Sequence, residues 1–371
     1  MAGNPMPLRF HWSIPGSGAS SPLRGSQDRA ATNPVADLAA QLELCQLADE
    51  GGIDQLLLPI GFHRADPIAL ATYFGGATRR VKFMVAVRPG ILSPTYLVQQ
   101  VNTVSVLTGG RITINVVAGY SSQELRYYGD FLSHDERFQR SDEFWTVCHA
   151  LWRGGPVDFD GKLLKVEGAK INTPFMADGR TRPELYFGGS SELAADMAIK
   201  HGDCQLSLAD VPERMAPRIR RVLDSGTEVG VLVSLITRPT HDEAVEVAYG
   251  LPGAAGEKAR EVQRAFRRQA AESVGLSSNF ALGDALGDGD SAWLTPYLWT
   301  GAIPYLGPLA IALVGSPDEV ADALLEYRRI GVTQFLFHGR PDLETLPFFC
   351  SEILPRVRAR EREHAAETAR A

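Results

Sequence analysis

One segment of the sequence combines the residue types that bind phosphate. An apolar run ends at Phe187, and Gly188, Gly189, Ser190 and Ser191 follow it before an amphipathic stretch begins. Glycine lets a backbone approach a ligand closely, and serine can cap a helix and donate its hydroxyl. The free N–H groups at a helix N-terminus attract negative charge. The segment therefore predicts a phosphate site, although an ordinary N-cap after a tight turn would have the same residue types.

Such a site needs a strand before it and a helix after it, and this alternation recurs along the chain. Many of the candidate strands are almost continuously apolar, which is typical of parallel strands buried on both faces. The strand candidates are Leu8–Ile14, Gln55–Pro59, Val81–Val87, Arg111–Val117, Glu184–Gly188, Cys204–Ser207, Val229–Thr237 and Thr333–His338. The helix candidates are Pro34–Glu50, Pro94–Leu107, the stretch opened by the capping box Ser133–Glu136, Ser191–His201, Pro212–Leu223, Asp242–Tyr249 and Pro317–Ile330.

Eight strand–helix alternations predict an α/β fold of the (β/α)8 TIM-barrel type with insertions. A doubly wound sheet is the alternative, but the turn at 15–20 lacks the GxGxxG spacing of that fold. We expect a single domain over 1–357, followed by a charged tail over 358–371 that is a solvated helix end or a frayed terminus.

Two insertions interrupt the alternation. The segment 156–170 predicts a hairpin that turns on Asp160-Gly161. The segment 250–298 is a long insertion of the kind that forms a lid or is disordered. It opens with a helix over Glu257–Ser273 and ends in a mobile Gly/Asp/Ser-rich loop over Gly283–Ser291.

Composition narrows the class of protein. Of 371 residues 44% are hydrophobic, enough for a large core, and the net charge of −7 argues against nucleic-acid and acidic membrane partners. Neither a signal-peptide run over Met1–Arg24 nor an apolar run long enough to span a membrane is present. The cysteines (Cys45, Cys148, Cys204 and Cys350) have no metal-type spacing, and we interpret them as buried thiols in a reducing compartment.

Several kinds of catalytic site are absent from the sequence. It contains no GxxxxGK[ST] loop, no HExxH and no GxSxG, and its eight histidines are scattered. We therefore expect a cytoplasmic enzyme without a catalytic metal, in which backbone N–H groups, hydroxyls and isolated arginines meet any negative charge.

A series of motifs along the chain points to a known family. In order they are Phe83–Pro89, Ser93–Thr95, Gly109–Arg111, Asn115–Gly119, Gln123–Leu125, His134–Phe138, Val157–Lys162, Gly168–Lys170, Tyr186–Ser191, Leu298–Gly301 and Ala312–Gly315. With this order and spacing, the chain resembles the bacterial luciferase-like flavin monooxygenases from about Leu8 to Val357. Within that family it resembles the alkanesulfonate monooxygenase group.

The resemblance implies a two-component enzyme on a TIM barrel. A separate NAD(P)H-dependent flavin reductase would supply reduced FMN, and O₂ would be the co-substrate for inserting one oxygen atom into a small organic molecule. The site would lie at the carboxyl ends of the strands, under the lid. Such an enzyme is expected to be a homo-oligomer, a dimer or a tetramer. Carried over, the FMN-binding residues would be Asn115, Ala118, Gly119, Tyr120, Gly189, Ser190 and Ser191, with Phe138 where the family often has a phosphate-binding tyrosine.

The chain departs from the sulfonate-oxidising members around the substrate. Aligned by the flanking motifs, their polar residues are replaced by Ser17, Arg64, Leu208, Leu232, Ser234, Leu306 and Arg340. Two anion-binding arginines become leucines, and a buried sulfonate would lose charge-assisted partners. The candidate catalytic residues are His63, His338 and Arg340, and the candidate substrate contacts are His11, Arg64, Leu208, Ser234 and Leu306. Arg88 is expected to be structural.

These departures leave several functions open. The first is a monooxygenase whose substrate is not a simple alkanesulfonate, such as a biosynthetic intermediate. The others are a sulfite-releasing alkanesulfonate monooxygenase, an oxidoreductase of the same fold that uses F420, and a flavin-binding accessory protein without catalysis.

Overall fold

Parallel strands dominate this computed structural model, which describes residues 6–14, 38–62, 64–117, 122–269, 273–286, 292–339 and 342–370. The strands are β1 (Arg9–Ser13), β2 (Gln55–Leu58), β3 (Lys82–Val87), β4 (Ile112–Val116), β5 (Val157–Asp160), β6 (Lys165–Ala169), β7 (Leu185–Gly188), β8 (Cys204–Leu208), β9 (Glu228–Thr237), β10 (Leu298–Trp299), β11 (Ala312–Gly315) and β12 (Val332–Gly339).

Eight of these strands close into a parallel barrel. Their circular order is β1-β2-β3-β4-β7-β8-β9-β12, because β9 pairs with both β8 and β12, and β12 pairs with β1. Each strand falls where the sequence predicted one, so the TIM-barrel prediction is confirmed. The strands are apolar on both faces because alternate residues serve different layers. In β3, Phe83 and Val85 join the core around the barrel, whereas Met84 and Ala86 pack in its interior.

Helices connect consecutive barrel strands. They are α1 (Leu38–Gly51), α2 (Pro67–Gly75), α3 (Pro94–Thr108), α4 (Ser122–Tyr127), α5 (His134–Arg153), α6 (Glu192–His201), α7 (Pro212–Asp224), α8 (His241–Gln269), α9 (Val274–Leu286), α10 (Ile303–Leu306), α11 (Pro317–Arg329), α12 (Asp342–Phe348) and α13 (Leu354–Arg370). In the described part of the chain, no helix is both long and apolar enough to cross a membrane. The carboxyl ends of the barrel strands form one end of the barrel, here called the barrel mouth, and the amino ends form the barrel floor.

Helix starts were more predictable than whole helices. The capping box opens α5, with the Ser133 side chain accepting from the backbone N–H of Glu136 and the Glu136 carboxylate accepting from Ser133. Several helices, among them α2, α4 and α9, were not predicted. The helix α2 begins after an Asp66 N-cap that accepts from Ala69 N, with Pro67 in its first turn. Its sequence is apolar almost throughout, so it lacks the 3.6-residue periodicity that identifies an amphipathic helix.

A small hairpin, β5–β6, packs outside the barrel against α5. The carboxylate of Glu143, buried on α5, accepts backbone N–H groups from Lys162 at 3.1 Å, Leu163 at 2.8 Å and Leu164 at 2.9 Å. A carboxylate that accepts several backbone N–H groups holds a turn in one conformation. Glu143 therefore attaches the hairpin to the barrel.

Replacing Glu143 with alanine is expected to destabilise the protein by about 2 kcal/mol, because three hydrogen bonds to a buried charge are lost together. Chemical denaturation gives the change, and limited proteolysis should cut the hairpin first. Glu167→Ala is the matched control, since the Glu167 side chain lies on the same hairpin and is largely exposed. Equal stability of the two variants would contradict this role of Glu143.

The segment predicted to be a lid is mostly helical. The two helices predicted at 242–249 and 257–273 correspond to α8, in which non-helical backbone at Gly256, with φ 75°, separates one helix from the next. The loop prediction over Gly283–Ser291 is wrong at its start, because 283–286 end helix α9. Gly283 fits there because a Cβ would lie 2.8 Å from Ile303 Cγ2 on α10. The close packing of α9 against α10 thus requires a glycine here, and in the sequence this glycine looked like part of a loop. The rest of that run lies outside the described residues.

The charged C-terminal segment continues α13 to Arg370. Its Glu361 is buried and accepts the backbone N–H of Leu8 at 2.7 Å, and it also binds Arg328 and Arg358. This carboxylate joins the C-terminal helix to the first strand and to α11, so the tail predicted from 358 onward is part of the barrel packing as far as Glu361.

Candidate functional site

The predicted phosphate segment lies at the barrel mouth, between β7 and α6. Gly189 donates its N–H to Leu206 O at 3.0 Å and accepts at its carbonyl from Gln205 Nε2 at 2.9 Å, so β8 fixes the turn. Ser191 is the N-cap of α6 and accepts from Ala194 N at 3.2 Å. The strand–turn–helix context that the sequence required is therefore present, and the first N–H groups of α6 point out of the helix at its N-terminus.

Only glycine fits at position 189 of this turn. Its φ of 141° is strained for any residue with a Cβ, and a Cβ at this position would lie 2.8 Å from the Ala194 Cβ. The absence of a side chain lets the first turn of α6 pack directly against the end of β7.

Asn115, on the neighbouring strand β4, borders this turn. Its Oδ1 lies beside Gly188, about where a Cβ at Gly188 would make van der Waals contact at 3.7 Å. The side chain is buried, yet Oδ1 has no hydrogen-bond partner in the described part of the chain. A buried acceptor without a donor is costly, and an N–H group of a bound ligand can satisfy it. Asn115 and the Gly189 turn thus form adjacent parts of one binding surface.

The helical insertion covers the phosphate turn. A methyl group on Gly275, in the first turn of α9, would lie 3.3 Å from Ser190 Oγ and 3.5 Å from Leu208 Cδ1. The Asn279 side chain on α9 donates to Pro308 O at 2.8 Å, which attaches the helix to the segment after α10. The structure therefore brings Ser190 and Leu208 together under α9.

Phe138 lies on α5, in a groove of about 240 Å³ between α5 and α6. The groove also contains Leu193 from the first turn of α6 and three carboxylates: Asp135, Asp142 and Asp196. Phe138 has no hydroxyl to donate, and these carboxylates would repel a phosphate. The backbone N–H groups and serines of the Gly189 turn are then the groups available to bind a phosphate here.

The other predicted site residues occupy different positions. Half-buried His338 and buried Ser234 are register neighbours on β12 and β9 at the barrel mouth, and the Ser234 hydroxyl donates to Leu309 O at 2.8 Å. Leu306 ends α10 and packs in a separate apolar cluster with Trp299 and Ile236. Arg64 lies in the loop after β2, with its N–H bonded to Gly61 O. The predicted residues Ser17, His63, Ala118, Gly119, Tyr120 and Arg340 lie outside the described residues.

His11 lies deeper, in the barrel interior, and is completely buried. Gln334 Nε2 donates to Glu228 at 2.8 Å, so Gln334 Oε1 faces His11 and accepts from His11 Nε2 at 2.7 Å. This orientation assigns the ring proton to Nε2. Nδ1 is then an acceptor, and it has no partner in the described part of the chain. Burial lowers the pKa of His11, so the ring is neutral.

A polar network below His11 fills the barrel floor. Tyr186 donates to Glu184 at 2.7 Å and accepts from Gln55, and Arg9 bridges Glu184 and Glu228 at 2.8 Å each. Burial opposes ionisation of Glu184, but Lys82, the Tyr186 hydroxyl and Arg9 outweigh it and lower the pKa of Glu184 to about 2. This network is not visible in the sequence pattern, because its members alternate with large apolar residues in strands that look uniformly hydrophobic. The described residues hold no cluster of three or more His, Cys, Asp or Glu that could bind a metal ion.

A comparison with protein families identifies the barrel. The profile of luciferase-like monooxygenases matches residues 8–334. The chain belongs to the luciferase-like monooxygenase family. It is accordingly an enzyme of the flavin-dependent monooxygenase type. The resemblance to this family inferred from the motifs is confirmed, and the narrower resemblance to its alkanesulfonate monooxygenase group stays a prediction.

Solved structures share the fold of this family member at low sequence identity. Riboflavin lyase, solved with a modified FMN and riboflavin, is 18% identical with a TM-score of 0.75, covering 96% of this chain and 92% of its own. DmoA from Hyphomicrobium sulfonivorans is 20% identical with a TM-score of 0.74, covering 95% and 87%. An F420-dependent secondary alcohol dehydrogenase is 18% identical with a TM-score of 0.65, covering 95% and 99%.

The residues of this luciferase-like chain fit a flavin. The Gly189 turn and the α6 N-terminus suit a phosphate, and the unpartnered Oδ1 of Asn115 suits an N–H donor on a ring. Arg88, a buried residue at the barrel mouth, was expected from the sequence to be only structural. Arg88 follows β3 and pairs with Glu124 on α4 at 3.3 Å. Both belong to motifs that carried the resemblance, but the sequence did not show that they meet.

Proposed function

We propose that this protein is the oxygenating component of a two-component system. It binds reduced FMN supplied by a separate NAD(P)H-dependent flavin reductase, and it uses O₂ to insert one oxygen atom into a small organic molecule. The observation that supports this most is the phosphate turn at Gly189 next to the unpartnered, buried Asn115 Oδ1, at the mouth of a luciferase-like barrel.

In this proposal, the position of each residue fits its role. The backbone around Gly189 and the hydroxyl of Ser190 bind the phosphate, and Ser191 holds the α6 N-terminus in place. Asn115 accepts from the flavin ring. Reduced FMN, when bound, supplies the two electrons with which one oxygen atom of O₂ enters the product and the other becomes water. Helix α9, packed over Ser190, excludes bulk water.

We also propose that the substrate is not a simple alkanesulfonate. Leu208 lies under α9, and Leu232 packs against the apolar cluster of the barrel interior. Both stand where the sulfonate-oxidising members have polar or aromatic residues. Desolvating a sulfonate against these leucines costs several kcal/mol without a compensating charge, so an uncharged or more apolar molecule fits better. His338 remains the proposed acid–base group of the described barrel mouth, and His63 and Arg340 remain candidates.

The phosphate turn predicts a preference among flavins. We expect FMN to bind about tenfold to a hundredfold more tightly than riboflavin, the value of two or three charge-assisted hydrogen bonds after desolvation. Ser190→Ala should remove most of this preference for FMN over riboflavin. Fluorescence titration of each flavin gives both dissociation constants. Ser225→Ala, which removes a hydroxyl in the turn between α7 and β9 at the barrel floor, is the matched control. Equal affinity for FMN and riboflavin in the unchanged protein would contradict the proposed phosphate site.

Flavin titrations, together with assays of oxygen uptake and of products, distinguish the remaining functions. Tighter binding of F420 than of FMN, with no oxygen uptake, would favour the F420-dependent oxidoreductase. Sulfite release from octanesulfonate, with reduced FMN supplied by any flavin reductase, would favour an alkanesulfonate monooxygenase. FMN binding without oxygen transfer to any candidate substrate would favour a flavin-binding accessory protein. Homo-oligomer formation and a cytoplasmic location remain predictions, which gel filtration with light scattering and cell fractionation can test.

A further inference from the structure

Arg88 differs from the structural arginines of this protein. Its side chain is only 4% exposed, and it follows β3 directly at the barrel mouth. One amino group, Nη2, contacts Glu124 at 3.3 Å, and the guanidinium lies 5.7 Å from the centre of the Tyr128 ring. Neither Nε nor Nη1 has a hydrogen-bond partner in the described part of the chain. Two buried donor groups thus have no acceptor among the described residues.

Arg111, at the barrel floor, shows how a structural arginine is satisfied here. Its Nε donates to Thr108 O at 2.8 Å, and its two amino groups donate to the side chain or backbone of Thr78, Val81 and Gly75. All of its nitrogens are used. A guanidinium buried as deeply as Arg88 without such partners would cost a few kcal/mol, because each unsatisfied donor retains its desolvation penalty.

The position of Arg88 shows where an acceptor would come from. Val87 O accepts from Val117 N, so Arg88 lies beside the end of β4, two residues beyond Asn115. Glu124 also accepts from Phe62 N at 3.3 Å, which brings the loop after β2 to the same place. Loops that follow three adjacent strands therefore meet around Arg88 at the barrel mouth, where the ligands of parallel barrels bind.

We propose that Arg88 is a ligand-binding residue, whose Nε and Nη1 donate to a carbonyl-type oxygen of a molecule bound in the barrel mouth. The oxygen belongs either to the flavin ring or to the organic substrate, and to that extent the proposal rests on the proposed function. Glu124 already balances the charge of Arg88. A full anion would be repelled by that carboxylate, so an uncharged oxygen acceptor suits the pair better.

Exposed aromatic side chains above this pair fit a molecule that carries a ring. Phe62 and Tyr127 contact each other edge to face, with ring centres 5.2 Å apart, and both are more than half exposed. They belong to the two elements that Glu124 joins, the loop after β2 and helix α4. Aromatic faces beside a donor pair bind flat, conjugated carbonyl compounds by stacking and hydrogen bonding together. We therefore use acetophenone as the substrate-like probe, beside FMN and the anionic analogue benzoate.

The test compares Arg88→Lys with the unchanged protein. Lysine keeps a charge opposite Glu124 but cannot present the two donors of the guanidinium fork. We expect the affinity for either FMN or acetophenone to fall at least about tenfold. Loss for FMN, with a shifted spectrum of the bound flavin, identifies the flavin as the source of the oxygen. Loss for acetophenone alone, measured on the FMN-bound protein, identifies the substrate. Benzoate should bind more weakly than acetophenone in both proteins.

Two further variants separate binding from folding. Arg88→Met with Glu124→Gln removes both charges, so no unpaired buried ion remains, and it should show the same loss of affinity. Arg111→Met should lower the melting temperature without changing either affinity. If Arg88→Lys and the double variant bind FMN and acetophenone within twofold of the unchanged protein, the proposal is overturned and the proposed function stands. If the unchanged protein binds no probe, both fail.

Discussion

Gly189→Ala is expected to reduce FMN affinity about tenfold to a hundredfold. The new Cβ would lie 2.8 Å from the Ala194 Cβ, and the backbone φ of 141° is one that alanine rarely adopts. The first turn of α6 must then shift, and its N–H groups and the Ser191 cap shift with it. Fluorescence titration with FMN measures the loss.

Two controls isolate the cause. Gly226→Ala introduces the same kind of backbone strain, at φ 84°, in an open turn at the barrel floor where a Cβ meets nothing within 4 Å. It should lower stability slightly and leave FMN affinity unchanged. Adding Ala194→Gly to Gly189→Ala removes the colliding methyl group and should restore part of the affinity, despite the cost of glycine in a helix. An unimpaired Gly189→Ala variant would show that this turn does not bind the phosphate.

The second large effect is a loss of stability in acid, to which His11 contributes strongly. His11 is neutral in the fold because burial lowers its pKa, whereas the unfolded chain takes up a proton near pH 6.5. The unfolded state then binds more protons, so the contribution of His11 to stability falls as the pH drops below about 6.5, by at most about 1.4 kcal/mol per pH unit, until the pH reaches the lowered pKa. A proton on Nδ1 would meet no acceptor among the described residues, which prevents the fold from compensating.

His11→Gln should remove that slope while leaving the rest of the acid sensitivity. The free energy of unfolding, measured with urea from pH 7.5 to pH 4.5, should fall less steeply below about pH 6.5, by up to about 1.4 kcal/mol per pH unit. Stability at pH 7.5 also changes, since the bond to Gln334 is altered, but the slope is independent of that offset. An unchanged slope would mean that His11 titrates normally in the fold.

His149 provides a second, independent site for the same test. Burial, followed by the charges of Arg182 and His201, lowers the pKa of His149 to about 4. The contribution of His149 to the stability of the fold therefore also decreases as the pH falls from about 6.5 toward about 4. It lies on α5, outside the barrel, and its ring stacks on His201. The slope changes of His11→Gln and His149→Gln should therefore add.

The order of strands and helices followed from the sequence because each barrel strand is buried on both faces and each helix is buried on one. Those patterns depend on local composition, so β3 and α5 could be placed within a residue or two. The turn at Gly189 and the N-cap at Ser191 were also predictable, because glycine and serine are favoured there by the local backbone, and the binding of a phosphate at this turn stays a prediction. Helices without such a signal were missed. Apolar α2 lacks a periodic pattern, and α9 contains Gly275 and Gly283, which the helix packing requires.

What the sequence by itself determined is therefore the barrel, its family and the turn that suits a phosphate. Only the tertiary structure decided which polar residues meet. His11 became an internal group bonded to Gln334, more than 300 positions away, and Arg88 met Glu124 across two loops. The physical reason is that burial and hydrogen-bond satisfaction depend on contacts between distant strands. The type of a residue determines which hydrogen bonds it can donate or accept, and the closed barrel determines which partners it meets.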